Sequence, residues 1–130
     1  MIIITGIFFI QMGRRMHRRS YEGGAKGNLG SIRYALSIYY GDMDGQYPGD
    51  LASLTVGGEY LVQIPKAYTP YYHPDSVAIH QMTNDEFNAG KFSDAGGWAY
   101  VMGGTTNYYS GTVAVNCTHT DMKGTVWTAY

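Results

Sequence analysis

Between Glu22 and Tyr40 the apolar residues Ala25, Leu29, Ile32, Leu36 and Tyr39 recur at intervals of four, three, four and three. That rhythm places all five on one stripe of an α-helix. A helix with one greasy stripe has to lay it on another layer, so the rest of the chain must supply a surface to receive it. The first half of this helix carries Gly23, Gly24, Gly27 and Gly30, each costing about 1 kcal/mol of helix stability relative to alanine. Packing rather than propensity must hold it straight. Gly41 is placed to act as a C-cap, and Asp42-Met-Asp-Gly45 ends the helix.

The segment after the helix reads as a folded connection rather than a tether. Pro48 forces an extended residue before it, and Asp50-Leu-Ala-Ser-Leu54 predicts a single helical turn with Leu51 and Leu54 facing inward. Gly57-Gly58 breaks that turn, and Tyr60-Leu-Val-Gln-Ile-Pro65 returns toward the body with Leu61 and Ile64 as core contacts. Residues 66–93 hold Pro70, Pro74 and several Asn and Asp, which predicts irregular surface structure.

Strand signals come after Gly96-Gly97. Trp98, Tyr100 and Met102 alternate with Ala99 and Val101, and Val113, Val115 and Cys117 share one face of a second run. Asp121-Met-Lys-Gly124 supplies a turn, and Thr125–Tyr130 is expected to form a last strand. The fold class read from this pattern is α+β: a long N-terminal helix packed on a small antiparallel β-sheet. The thirteen Tyr and eighteen Gly fit a fold rich in half-buried strands and tight turns.

Two regions of opposite character divide the chain. Residues 1–20 begin with Ile2, Ile3, Ile4, Ile7, Phe8, Phe9 and Ile10 and continue into Arg14, Arg15, Arg18 and Arg19. The apolar run is about half the length needed to span a bilayer, and its cationic cluster comes after rather than before it, unlike a secretory signal. Three readings fit this segment: the end of a longer membrane helix, an interfacial anchor, or a misread gene start. The first is preferred. The four arginines are expected to face solvent or lipid headgroups rather than to form a binding site. Residues 21–130 are expected to form one globular domain. Residues 1–26 carry net +4 and residues 27–130 net −5, within a total of −1. An acidic body has no electrostatic footprint for nucleic acid.

The ordered set EGGAKGNLGSIRYALSIYYGDMDGQYP, DLASL, YLVQIP, DAGGWAYV and GTVAVNCTHTDMKGTVWTAY resembles the type IV pilin and type II secretion pseudopilin superfamily, and most closely its short pilin-like members. The resemblance covers residues 20–65 and 94–130. It implies a helix whose first half is membrane anchor and filament core and whose second half lies on an antiparallel sheet, with the connector filling the shoulder between them. The family's Phe-Thr-Leu-Ile-Glu type of start is absent, and no acid precedes Glu22.

By that resemblance the chain is a structural subunit of a type IV pilus or pseudopilus. Ile2, Ile3, Ile4, Ile7, Phe8, Phe9 and Ile10 drive self-assembly, and Leu29, Ile32 and Leu36 pack the helix on its sheet. Its partners are copies of itself in a helical polymer and other pilins or pseudopilins. The resemblance implies that it is placed in the bacterial inner membrane before assembly, then in an extracellular pilus or periplasmic pseudopilus. Alternatives are a major pseudopilin of a type II secretion system and a minor pilin that binds DNA or a glycan through residues 66–93.

No enzymatic motif, cofactor or metal site is expected. HExxH, P-loop, GxSxG and CxxC patterns are missing, and His17, His73, His80 and His119 have no ligand spacing. Asp42-Met-Asp44-Gly45 starts like a calcium loop but lacks the remaining ligands, so it reads as a capped turn. Cys117, the single cysteine, reads as a small buried hydrophobe.

Overall fold

The computed structural model describes residues 2–103 and 108–130, and the side chains of residues 2–5 lie outside that description. One helix, α1, runs unbroken from Ile2 to Asp42, about 60 Å of rod at 1.5 Å per residue. Ala25, Leu29, Ile32 and Leu36 are buried and Tyr39 packs against them, so the expected stripe is the inner face. Ala35 joins it. The helix outlasts the expected cap. Gly41 stays helical, and the left-handed residues that turn the chain are Asp44 (φ 54°) and Gly45 (φ 84°).

The connector folds as its sequence implies. Asp50 caps a 3₁₀ segment, Leu51–Gly58, by accepting from the Ser53 amide at 2.9 Å, and Leu51 and Leu54 are fully buried. Gly57 (φ 65°) breaks it. Leu61 and Ile64 then pack against the core, and the Trp98 indole N–H donates to the Pro65 carbonyl at 2.8 Å. The Tyr47-Pro48 turn is clamped by the sheet: the Tyr100 hydroxyl donates to Pro48 O at 2.5 Å and the Gly103 amide donates to it at 3.2 Å. A Cβ on Gly111 would overlap the Tyr47 ring, which leaves glycine as the residue that fits.

The sheet corrects the expected antiparallel meander. Its strands are β1 (Ile79–Met82), β2 (Trp98–Val101) and β3 (Val113–Val115), in the order β1-β2-β3. β2 and β3 are antiparallel, with Trp98 opposite Val115 and Tyr100 opposite Val113. β1 runs parallel to β2, with Ile79 opposite Trp98. A parallel neighbour needs a crossover, provided by a segment containing the short helix α2 (Asn84–Asn88), which opens on a capping box between Thr83 and Glu86. The segment expected to be irregular therefore supplies a strand and a helix. Gly97 (φ 71°) permits the approach, since a Cβ there would strike the Ala78 carbonyl that accepts from the Trp98 amide.

The expected last strand is also corrected. Thr120 and Val126 form a single antiparallel bridge, after which Trp127–Ala129 turn as 3₁₀ helix. Trp127 is thereby fully buried in the main core. Burial of this large ring displaces an extended tail.

Trp98, Tyr100, Val113, Val115 and Cys117 belong to the core that α1 covers, whereas Met82, Ala99 and Val101 form a second cluster with Phe87, Phe92 and Tyr109. The sheet is covered on both sides, so β2 is buried at every residue. Met102, expected on the face of Trp98 and Tyr100, lies past the strand and is exposed.

Candidate functional site

Two features stand apart from ordinary packing. The first is the leading part of α1. Residues 6–12 are all exposed, with Ile7, Phe8, Phe9 and Ile10 at 52, 63, 67 and 60%. Four consecutive helical positions point all around the axis, so these turns are apolar on every side. Ile2, Ile3 and Ile4 belong to the same helix, but their side chains lie outside the described residues. Leu29, Ile32 and Leu36 are instead buried in the core of the globular body. Among the described residues no helix is long and apolar enough to cross a membrane.

The rod is gripped where it enters the body. Glu22 is buried and accepts the Met122 amide at 3.2 Å and Arg18 Nε at 2.8 Å. Arg18 also reaches the Thr120 carbonyl and lies over the Tyr71 ring at 5.3 Å. It is thus a structural ion-pair partner, in contrast to the solvated role expected of the cluster. One turn on, Lys26 Nζ donates to buried Asp121 at 2.8 Å. The Lys123 and Thr125 amides and the Tyr130 hydroxyl donate to the same carboxylate. Burial works to raise the pKa of Asp121, but these donors, Lys26 foremost, outweigh it and hold the carboxyl far below the usual carboxylate range.

The second feature is a convergence of four metal-ligating side chains: His73, Asp94, Cys117 and His119, one ligand atom from each lying within 4.8 Å of all the others. They come from three segments. His73 closes a turn in which its amide donates to Thr69 O, Asp94 precedes β2, and Cys117 and His119 come after β3. His73 Nε2 lies 3.1 Å and His119 Nδ1 3.5 Å from Asp94 Oδ1, and Cys117 Sγ lies 3.7 Å from His119 Nδ1.

The surroundings fix these groups. The His119 ring stacks on Tyr72 at 4.2 Å and 8°. A Cβ on Gly96 would come within 2.8 Å of the His73 Cβ, so the backbone is pressed against that histidine. Asp94 adopts a left-handed conformation (φ 55°), a strained choice held by the buried Asn116, which accepts its amide and donates to Ser93. The Thr118 amide donates to Asp94 Oδ1 at 2.8 Å, and this bond, helped by His73 against the effect of burial, lowers the carboxyl pKa. Burial raises the pKa of the Cys117 thiol.

This set does not have the arrangement of a nucleophile relay. A relay needs the thiol at one imidazole nitrogen and the carboxylate at the other, whereas Cys117 and Asp94 both approach Nδ1 of His119. Cys117 is also fully buried, and burial shifts its pKa up rather than down as a nucleophilic cysteine requires. Linear spacing hid the cluster because His73 and Asp94 lie far from Cys117-Thr-His119 in sequence. That Cys-x-His pair was the one local signal. No protein family, curated protein or solved structure matches the chain.

Proposed function

We propose that the chain is a pilin-like structural subunit that polymerises through the leading turns of α1 to build a pilus or pseudopilus. The observation that carries this reading is the bare apolar rod, Ile7 to Ile10, continuous with a helix whose second half is committed to the body. An exposed apolar surface of this kind marks an association site. Each exposed ring or branched side chain withdrawn from water contributes about 1.5–3 kcal/mol. A rod offered by one subunit and met by a different face of the next is a heterologous contact that propagates rather than closes. In this reading the inner membrane shelters the apolar turns before assembly, and the acidic body is displayed on the filament.

Sedimentation and negative-stain microscopy of the full chain test the proposal. The wild-type chain forms filaments or large rod-bundled oligomers once detergent is removed, and Phe8→Asp/Phe9→Asp yields monomers with an unchanged circular dichroism spectrum. Monomeric wild-type protein at about 100 µM, where even contacts of only about 5 kcal/mol are half occupied, refutes it.

A further inference from the structure

We propose that His73 Nε2, Asp94, Cys117 Sγ and His119 Nδ1 bind one Zn²⁺ ion in a closed tetrahedral site on the globular body. The inference is independent of how subunits assemble. It rests first on the spacing of the ligand atoms. With Zn–N and Zn–O near 2.0–2.1 Å and Zn–S near 2.3 Å, tetrahedral geometry sets N···O edges at about 3.3–3.4 Å and S···N edges at about 3.5–3.6 Å. The three observed distances, 3.1, 3.5 and 3.7 Å, scatter around those values. Three of the six ligand–ligand edges are thus already at coordination spacing, and the remaining three lie within 4.8 Å, a gap that small side-chain movements would close on binding.

Chemistry of the donors selects the metal class. Two imidazoles, one thiolate and one carboxylate form a borderline-soft set suited to zinc. Calcium and magnesium require six or more oxygens, and Asp94 is the one carboxylate of the cluster. Four protein ligands leave no open position for water, so the site is structural rather than hydrolytic.

The outer shell is also that of a built site. Tyr72 fixes the plane of His119, Gly96 seats His73, and the Thr118 amide and Asn116 orient Asp94 and its loop. Such partners orient ligands and raise metal affinity. On binding, the Cys117 thiol proton passes to solvent and the thiolate takes the metal. The ion would then staple three irregular segments together, the role a disulfide cannot play in a chain with one cysteine.

The test uses the full chain, purified without a metal-binding tag, stripped with chelator and titrated with Zn²⁺ alone against a chromophoric competitor, then with Co²⁺ alone. One Zn²⁺ per chain binds with sub-micromolar affinity, and Co²⁺ gives the intense visible bands of tetrahedral coordination with a thiolate charge-transfer band. Cys117→Ser abolishes that charge-transfer band. His119→Gln, at the exposed ligand, leaves the fold intact by circular dichroism and weakens Zn²⁺ binding by about 100-fold or more. A Zn²⁺ Kd weaker than about 10 µM, a pale octahedral cobalt spectrum, or His119→Gln binding as tightly as wild type overturns the proposal.

Discussion

Replacing Asp121 with Asn isolates the clamp that joins the C-terminal loop to the middle of α1. The carboxylate is buried and takes four donors: the Lys123 and Thr125 amides on Oδ1, and Lys26 Nζ and the Tyr130 hydroxyl on Oδ2. Removing one partner of a buried ion pair costs about 3–5 kcal/mol when the remaining charge is stranded. Asn keeps one oxygen for the two amides, and the Tyr130 hydroxyl can rotate to accept from the new NH₂. Lys26, whose side chain is 29% exposed, can swing its ammonium into water. The loss therefore falls to about 2–3 kcal/mol, mostly the charge-assisted bond from Lys26 and the weakening of those that remain. For a chain of this length that lowers Tm by about 7–11 °C at pH 7.

The same substitution has a pH signature. The folded-state pKa of Asp121 lies below its ordinary value, so its stabilisation is complete above the unfolded pKa near 3.9 and is lost as pH falls through the folded value. Asparagine does not titrate. The difference in Tm between the two proteins, read by circular dichroism melts, is constant between about pH 5 and 7 and narrows below about pH 4. A drop under about 2 °C at pH 7, or a gap that widens in acid, refutes the reasoning.

Two further substitutions address the Tyr47-Pro48 clamp. Gly111→Ala adds a Cβ into the Tyr47 ring at a residue with φ 79°, costing about 2–4 kcal/mol in urea unfolding. Gly124→Ala, at φ 81° with open space around its Cβ, costs only the backbone strain of about 1–2 kcal/mol, and equal losses at the two sites would show that the clash is not felt. Tyr100→Phe deletes the buried hydroxyl that donates to Pro48 O, but the Gly103 amide still serves that carbonyl. The loss is about 1–1.5 kcal/mol in the same assay, and a neutral or stabilising result would mean the bond contributes nothing.

The helix was legible because its stripe repeats over four turns and a local pattern decides it. Leu51, Leu54, Leu61 and Ile64 were legible for a similar reason, being short apolar groups framed by Pro and Gly. β1 was not: Ile79-His-Gln-Met82 is polar at its centre and takes its strand character from a parallel neighbour reached across α2. No local signal encodes such a long-range partner. Trp127 misled in the opposite direction, since an alternating run read as a strand while the gain from burying the indole turned the chain inward. The histidine cluster is the strongest case of tertiary proximity without sequence proximity, for its members converge from three separate loops.

The flanking strands of the sheet are four and three residues long, and each ends in a turn or loop. Unpaired N–H and C=O groups along such margins are too few to recruit a foreign β-segment. Copies crowded side by side at high density therefore have little opportunity to zip together in the manner of amyloid. In the proposed polymer, neighbouring bodies would therefore meet through side chains rather than through shared strands.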